Sequence, residues 1–531
     1  MNILLIYPKN PEGNFWYFDN VAKKYLQNFK FLFLKFLLRF LLKFFSKDLV
    51  SKWKFLKRKN KATFAPLGLL TVASMLPKNW HLKLIDLNVE DLTNNQIKWS
   101  NMVFISGMLV QKTSIKEIIL RCKNQNKVIV AGGPLFASQY NEFIEVDHFV
   151  LNEAEITLPL FLKDLEENKL KRIYTSEEKP DLNKSPMPLW KLINPKNYVT
   201  LPIQFSRGCP FNCDFCEITT LFGFKVRTKT PLQILAELQA IKDSGYKGES
   251  IFVVDDNLIG NIPKAKEMLK ELIKWQKKNN YPFKILTQVS INLAKDDELI
   301  DLFIKANINK VFIGIETPDL DNLKSCGKIQ NTNVDLLSEV KKLLKNGIQV
   351  MAGFIYGFEK DNNETRKHLE EFIQKSGIVN AMPAILTALP GTQFEEKMRK
   401  ENRLLGETKG GSQNNIYLNF LHNNRDEIIA NYYRLTKNIY SRKNYYKRIN
   451  IFLKYYKPSI KKEKISFNNL MAFLKSIFYI GILSKESIFY WILIIKLLTN
   501  QRKIRSFAIA IEMAISGRNY FKVVKKSSFS L

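Results

Sequence analysis

The sequence predicts an α/β protein: a Rossmann-like N-terminal domain, a partial (β/α)6 barrel and a helical, basic C-terminal region. Three observations predict it. Strand-length apolar runs alternate with helical periods over residues 1–160, and again over 195–400, as parallel sheets require. Residues 401–531 are mostly helical in period. The length of 531 residues exceeds one ordinary domain, and a hydrophobic content of 46% supplies a sizeable core.

In the first unit "NILLIYP" reads as a buried strand, and "PLGLLTVASMLP" as a helix that ends at Pro77. "HLKLIDL", "MVFISGM" and "KVIVAGGP" are further strands, with the amphipathic helix "SIKEIILRCKNQ" between two of them. Ligands of such sheets bind at the carboxyl ends of the strands, which selects Ser106, Gly107, Gly132, Gly133 and Pro134. A tight turn at Gly132-Gly133 is the competing explanation.

Residues 20–62 interrupt this pattern with a segment dense in Phe, Leu and Lys. Lys35, Arg39 and Lys43 recur every four residues, a basic stripe on an otherwise apolar helix. Those charges argue against a membrane span and fit a helix lying in a membrane interface, or one packed inside the protein. In the second unit strands are expected at "PIQFSRG", "ESIFVVDD", "FKILTQVS", "KVFIGIE", "IQVMAGFIYGF" and "NAMPAILTAL". Their carboxyl ends carry Asp255, Asp256, Asn257, Gln288, Glu316 and Tyr356. For the acidic residues, capping of the following helix is the plainer role. The C-terminal stretch, with "SIFYWILIIKLLTNQRKIRSFAIAIEMAI", reads as a helical cap or a monotopic surface.

The charge balance is 82 Lys+Arg against 50 Asp+Glu, a net +32. It suits a polyanionic partner or an anionic membrane surface, and equally a lysine-rich proteome. Five cysteines, three of them clustered, make no disulfide framework, so a reducing cytosol is expected. No secretory signal is legible in "MNILLIYP".

The cluster "SRGCPFNCDFCEI" places Cys209, Cys213 and Cys216 at C-x3-C-x2-C spacing, just after the first strand of the second unit. Structural zinc needs four ligands. Cys122 and Cys326 stand alone, and His81, His148, His368 and His422 have no zinc-like spacing to the cluster. A [4Fe–4S] cluster held by three thiolates leaves one iron open to bind a substrate or cofactor.

This motif, with Phe215 before its last cysteine, resembles the radical S-adenosylmethionine (SAM) superfamily. The resemblance implies that Cys209, Cys213 and Cys216 hold a [4Fe–4S] cluster whose open iron chelates S-adenosylmethionine. One electron then cleaves it to methionine and a 5′-deoxyadenosyl radical. "FAPLGLLTVASML", "FISGM", "VIVAGGP" and "HFVLNEAEITLPLFL" are similar to the cobalamin-binding module that precedes many such barrels. "QFSRGCPFNCDFCEI", "RTKTP", "FVVDDNLIGN" and "VFIGIETPD" resemble the subgroup with a helical C-terminal extension that includes the hopanoid C-2 methylase. The likeness covers nearly the whole chain outside residues 20–62. It implies that the backbone near Phe215 contacts adenine, and that Asp255, Asp256 and Asn257 hold the amino end of S-adenosylmethionine. Gln288 and Glu316 would reach its ribose or the substrate, and Ser106, Gly107, Met108, Gly132 and Gly133 would cradle cobalamin. One departure stands out. The loop "PKNPEGNFWYFDN" lacks the histidine that ligates cobalt in classical cobalamin domains.

The first expectation is cobalamin-dependent methyl transfer to an unactivated carbon of a lipid-like or other small molecule. A radical rearrangement or cyclisation without methyl transfer is the second. An RNA-modifying radical enzyme is the third, but a methylthiolating type needs a second cysteine triplet. A non-enzymatic membrane module leaves the cysteines unexplained. The expected partners are an electron donor such as flavodoxin or ferredoxin and the inner face of a membrane; nucleic acid is not expected.

Overall fold

β1 (Asn2–Tyr7) is apolar almost throughout because the sheet it founds is buried on both faces. Ile3 and Leu5 join the core shared with the rest of the molecule. Leu4 and Ile6 join a second core with Ile115, Ile118 and Ile119 of the helix Lys112–Lys123. The computed structural model describes residues 1–11, 62–406, 417–458, 467–500 and 505–527. Most of the segment expected to be a basic amphipathic helix, residues 20–62, lies outside the described residues.

The chain resumes in β2 (Ala62–Phe64), which does not enter the first sheet. It pairs with the first barrel strand, Ala62 opposite Tyr198 and Phe64 opposite Thr200. β3 (His81–Asp86), β4 (Met102–Ser106), β5 (Val128–Gly132), β6 (His148–Val150) and β7 (Ile173–Tyr174) complete the first sheet. Its order is β3-β1-β4-β5-β6-β7, and every pairing is parallel. The sheets do not follow the expected 1–160 span strictly. Ala62–Phe64 belongs to the barrel sheet, and the first sheet extends past residue 160 to β7.

The second sheet contains β2, β8 (Tyr198–Ile203), β11 (Ser250–Val253), β12 (Lys284–Val289), β13 (Ile308–Glu316), β14 (Gln349–Tyr356) and β15 (Ala381–Ile385). A two-residue ribbon of β9 (Ser206–Arg207) and β10 (Arg227–Thr228) stands apart from it. The sheet order β15-β14-β13-β12-β11-β8-β2 is all parallel, so six strands form the half-barrel and β2 adds a seventh at its edge. The first lies earlier than the expected "PIQFSRG", of which only Pro202 and Ile203 are in β8, while Ser206 and Arg207 form the ribbon. Intervening helices such as Pro231–Asp243 and Ile262–Lys278 start at side-chain caps, Thr230 and Asn261.

The helix Arg425–Ile439 lines the edge of the half-barrel, and the helices Arg442–Tyr455 and Phe507–Ser527 lie toward the amino ends of its strands, away from the cysteines. The helix Arg425–Ile439 lies along the helix Asn363–Ser376. The helix Arg442–Tyr455 crosses the lower end of that helix, where the backbone of Phe452 approaches Gly377 closely. Lys310, near the start of β13, pairs with Glu512 at 2.6 Å. Among the described residues no helix is long and apolar enough to cross a membrane.

Asp86 ties the two sheets together. Its Oδ2 accepts a hydrogen bond from the Tyr198 hydroxyl at 3.1 Å, and its Oδ1 accepts from the Asn88 amide N–H at 2.8 Å. Burial pushes this carboxyl up to about 6, against the pull of those bonds. The folded state thus binds the proton more tightly than the unfolded chain. That contribution is complete below the ordinary value of 3.8 and is lost as pH rises through about 6. Asp86→Asn removes the titration. Relative to wild type, the variant should gain on the order of 3 kcal/mol between about pH 4 and pH 7, read from denaturant unfolding at each pH.

Candidate active site

The three clustered cysteines sit on a closed loop. β9 and β10 pair antiparallel at its base, Arg207 opposite Arg227, so both ends of the loop are held together. Asp255, at the carboxyl end of β11, fixes the start of the loop. Its Oδ1 accepts from Phe205 N at 2.7 Å, and its Oδ2 from Ser206 N at 2.8 Å and Ser206 Oγ at 2.5 Å. Burial pushes the Asp255 carboxyl up to about 6, while the three bonds hold it down. The residue braces the cysteine loop, and the helix-capping role falls instead to Asn261, whose Oδ1 accepts from Lys264 N.

The base of the loop is clasped to the first domain by four buried charges. Arg207 donates to Glu153 at 2.8 Å and to Glu155 at 2.8 Å, and Arg227 donates to Glu153 at 2.8 Å. Glu153 and Glu155 begin the helix that follows β6. Burial raises the Glu155 carboxyl, but Arg207 outweighs it and holds the group below the usual range. The far side of the loop is tied to the other end of the half-barrel. Asp214 N donates to Cys326 O at 3.1 Å, Phe394 N to Asp214 O at 2.9 Å, and Gln393 Nε2 to Asn212 Oδ1 at 2.8 Å.

Within this frame the thiols are dry. Burial pushes Cys216 up to about 12 and raises Cys209 and Cys213, while the charge of Lys328 pulls all three down. Left alone, such groups stay protonated; a bound iron cluster deprotonates its cysteine ligands outright. Among the described residues no three His, Cys, Asp or Glu side chains form a single-ion site. A multi-iron cluster, by contrast, is bound at its corners by ligands set wider apart. Gln330 Nε2 lies 3.8 Å from Cys213 Sγ, a donor facing a sulfur.

The other expected residues separate. Asp256 keeps Oδ2 buried without a protein partner, and burial with the neighbouring Asp255 charge pushes its carboxyl up to about 7. Asn257 is engaged through Oδ1 with Ser290 N at 3.1 Å. Gln288 is half-buried and accepts Leu258 N with its backbone. Glu316 ends β13 with a positive φ of 63° and pairs with Lys328 at 2.8 Å. Phe215 is half-buried against the core. Tyr356 is buried and gives its hydroxyl to Asn362 O at 2.7 Å, which makes it structural.

At the first sheet Ser106 and Gly132 are register partners, so the expected edge residues do come together. Their glycines, however, serve the protein's own packing. A Cβ on Gly132 would meet Val150 O at 2.6 Å, and Gly133, at φ 90°, lies against Ser106 Oγ. Met108 is exposed on this edge, and its N–H donates to Gln111 Oε1 at 2.9 Å. No histidine reaches it: His81 and His148 stand at the opposite ends of their strands, and His368 and His422 lie in the barrel and its extension. Glu153, Glu155, Arg207, Arg227, Lys328, Gln330 and Gln393 carry no sequence signal that singles them out. The strings "LNEAE" and "RTKTP" contain part of the clasp, but only folding brings them together.

Comparison with known proteins defines the class. The radical SAM superfamily model matches residues 203–373, and a domain of unknown function (DUF4070) matches residues 392–529. The fold is that of the cobalamin-dependent S-adenosylmethionine radical enzyme OxsB with aqua-cobalamin bound. The TM-score is 0.58 at 15% identity, covering 100% of this chain and 80% of that one. It is also that of the radical S-adenosylmethionine methyltransferase TsrM from Kitasatospora setae, with a TM-score of 0.55 at 13% identity over 75% of each chain. In sequence the chain is 41% identical to an uncharacterized methyltransferase of Synechocystis, over 70% of both proteins. It is 33% identical to the hopanoid C-2 methylase of Rhodopseudomonas palustris, over 65% of this chain and 66% of that protein. The chain therefore belongs to the radical S-adenosylmethionine methyltransferase family, in the group that includes the hopanoid C-2 methylase.

Two outcomes are expected here. Cys213→Ala should lose the iron and sulfide of the anaerobically reconstituted protein, whereas Cys326→Ala, which keeps the backbone bond to Asp214, should retain them. Glu153→Gln strands two buried guanidiniums beside one carboxylate. It should cost about 3–5 kcal/mol, seen as a lower denaturant midpoint.

Proposed function

We propose that the protein transfers a methyl group to an unactivated carbon of a lipid-like small molecule, using a [4Fe–4S] cluster, S-adenosylmethionine and cobalamin. The observation that carries this is the clasp, which holds a three-thiol loop at the mouth of the half-barrel beside an α/β domain. Bound there, the cluster would supply the electron that cleaves S-adenosylmethionine, and cobalamin would carry the methyl group. Cys209, Cys213 and Cys216 hold the cluster. Asp256, after β11, keeps a buried acidic oxygen without a protein partner, as Asp214 does within the cysteine loop, and Asp256 receives the ammonium of S-adenosylmethionine, with Asn257 beside it. Glu316, paired with Lys328, and Gln288 face the ribose or the acceptor. The backbone at Phe215 meets adenine. Ser106, Gly107, Met108, Gly132 and Gly133 line the cobalamin edge, and with no histidine there the protein gives cobalt no imidazole.

The lipid-like acceptor rests on the hopanoid C-2 methylase relative. Cyclisation without methyl transfer is a second outcome of the same test. A methylthiolating reading needs another cysteine triplet, and Cys122 and Cys326 lie in separate cores. A small reductant such as flavodoxin or ferredoxin, and attachment to the inner face of a membrane, complete the proposal.

With methyl-labelled S-adenosylmethionine, the reduced, cobalamin-loaded protein should label a lipid fraction from its host and release 5′-deoxyadenosine. Unlabelled, rearranged product would reject methyl transfer. Paramagnetic resonance of the cob(II)alamin-loaded protein should lack nitrogen splitting from a protein imidazole.

A further inference from the structure

The helix Ser487–Leu498 is apolar on both sides. Tyr490, Leu493, Ile494 and Leu497 face the core of the helical domain. Ile488, Trp491, Ile492, Ile495 and Leu498 lie on the outer side at helical spacing, each between 40% and 71% exposed. The preceding turn adds exposed Ile482 and Leu483, and Trp491 Nε1 joins it to the helix by donating to Gly481 O at 2.9 Å. Water-facing apolar patches of this extent mark a contact surface.

The charge around the patch has one sign. From Lys464 to Ile511 the sequence has a single acidic residue, Glu486. That carboxylate is buried and paired with Arg442 at 2.7 Å. Lys475, Lys485 and Lys496 are exposed, and Arg502, Lys503 and Arg505 follow in the sequence. A second copy docked face to face would bring like charges together with no carboxylate between them. The segment of residues 12–61 is a poor cover for the same reason, since it has thirteen Lys and Arg against three Asp and Glu. An anionic bilayer satisfies both features. Its acyl boundary accepts the isoleucines, its interface accepts Trp491, and lysine stems extend to acidic headgroups.

We infer that the outer face of the helix Ser487–Leu498, with the Ile482-Leu483 turn, docks the protein on an anionic lipid surface. The inference goes beyond the methyl-transfer reading and does not depend on it, because the face belongs to the helical domain, away from the cysteines.

The test is flotation of the full chain with vesicles of equal phosphatidylcholine and phosphatidylglycerol. Wild type should float, less so in phosphatidylcholine alone, and added salt should weaken the binding. The variant Ile488→Glu, Ile492→Glu, Ile495→Glu changes only exposed positions and should lose about tenfold in bound fraction. Trp491→Phe, a conservative change that keeps the fold, should reduce the vesicle-induced blue shift of tryptophan fluorescence. The inference fails if wild type does not float, if the triple variant floats equally well, or if Trp491→Phe leaves the shift intact. It also fails if the triple variant only dissociates a dimer, which would identify a second copy as the occupant. A blue shift from Trp491 that needs deletion of residues 12–61 would identify that segment as the cover, and would equally overturn it.

Discussion

The site depends on one buried ionic contact, that of Glu153 and Glu155 with Arg207 and Arg227. Burying four charges is costly unless each finds an opposite charge at close range. Here two carboxylates meet two guanidiniums, and further donors are used: Arg207 Nε reaches Gln204 Oε1 at 2.9 Å, and Arg227 reaches Phe222 O at 3.0 Å, while Arg227 Nε is left without a partner. The two arginines stand at the two ends of the cysteine loop. Glu153 therefore closes the loop and fixes it to the first domain in one contact. A loop tethered at one end would leave the thiols free to move against the neighbouring sheet edge. Closing it at its base removes most of that freedom.

The opposite side of the loop is held by segments far away in sequence. Cys326 O, Gln393 and Phe394 N reach it from beyond β13 and β15. The thiols are thus fixed from the first domain, from β11 through Asp255 and from the far strands of the half-barrel. The electrostatics of the rim follow from which charges are already paired. Glu316 and Lys328 satisfy each other, and Asp255 is occupied by backbone N–H groups. Asp214, within the cysteine loop, and Asp256, after β11, each keep an oxygen that no protein group serves, and that of Asp256 stands beside the strand ends. A buried carboxylate in that position attracts a cationic group, and S-adenosylmethionine brings an ammonium and a sulfonium.

Much of this was legible before folding. Strands of a parallel sheet are continuous apolar runs, so β1, β4, β5 and five of the six expected barrel strands could be read directly; the first, "PIQFSRG", was placed too late and shares only Pro202 and Ile203 with β8. C-x3-C-x2-C marked the candidate ligand loop because thiolates so close in sequence have few other uses. β2 was not legible: three residues, "ATF", carry no periodicity, and their partner β8 begins more than a hundred residues later. The clasp was hidden for the same reason, since Glu153 and Arg227 meet only once both sheets exist. The glycines at 132 and 133 were legible as required glycines, but not for what. The structure places protein atoms, Val150 O and Ser106 Oγ, where a Cβ would go. Asp255 misled because a carboxylate after a strand looks the same whether it serves a ligand or a loop.

The helical region has a structural reason to accompany this barrel. A half-barrel, unlike a closed one, has open edges, and an open edge presents unpaired backbone groups. At β15 the carbonyls of Asn380 and alternate residues face β14, while those of Ala381 and Pro383 face outward. Pro383 has no N–H to leave unpaired, which suits an edge strand. The outward carbonyls accept hydrogen bonds from Tyr440 and Tyr432 of the helical region, the latter at 3.0 Å. Just beyond the strand, Asn419 holds both the N–H and the carbonyl of Ala388, at 2.9 and 2.8 Å. Each buried carbonyl left without a donor would cost on the order of 1–3 kcal/mol. The helix Arg425–Ile439 thus replaces the strand that would otherwise continue the sheet. It does so with side-chain hydroxyls, which end the ladder and leave no new edge for another chain to extend.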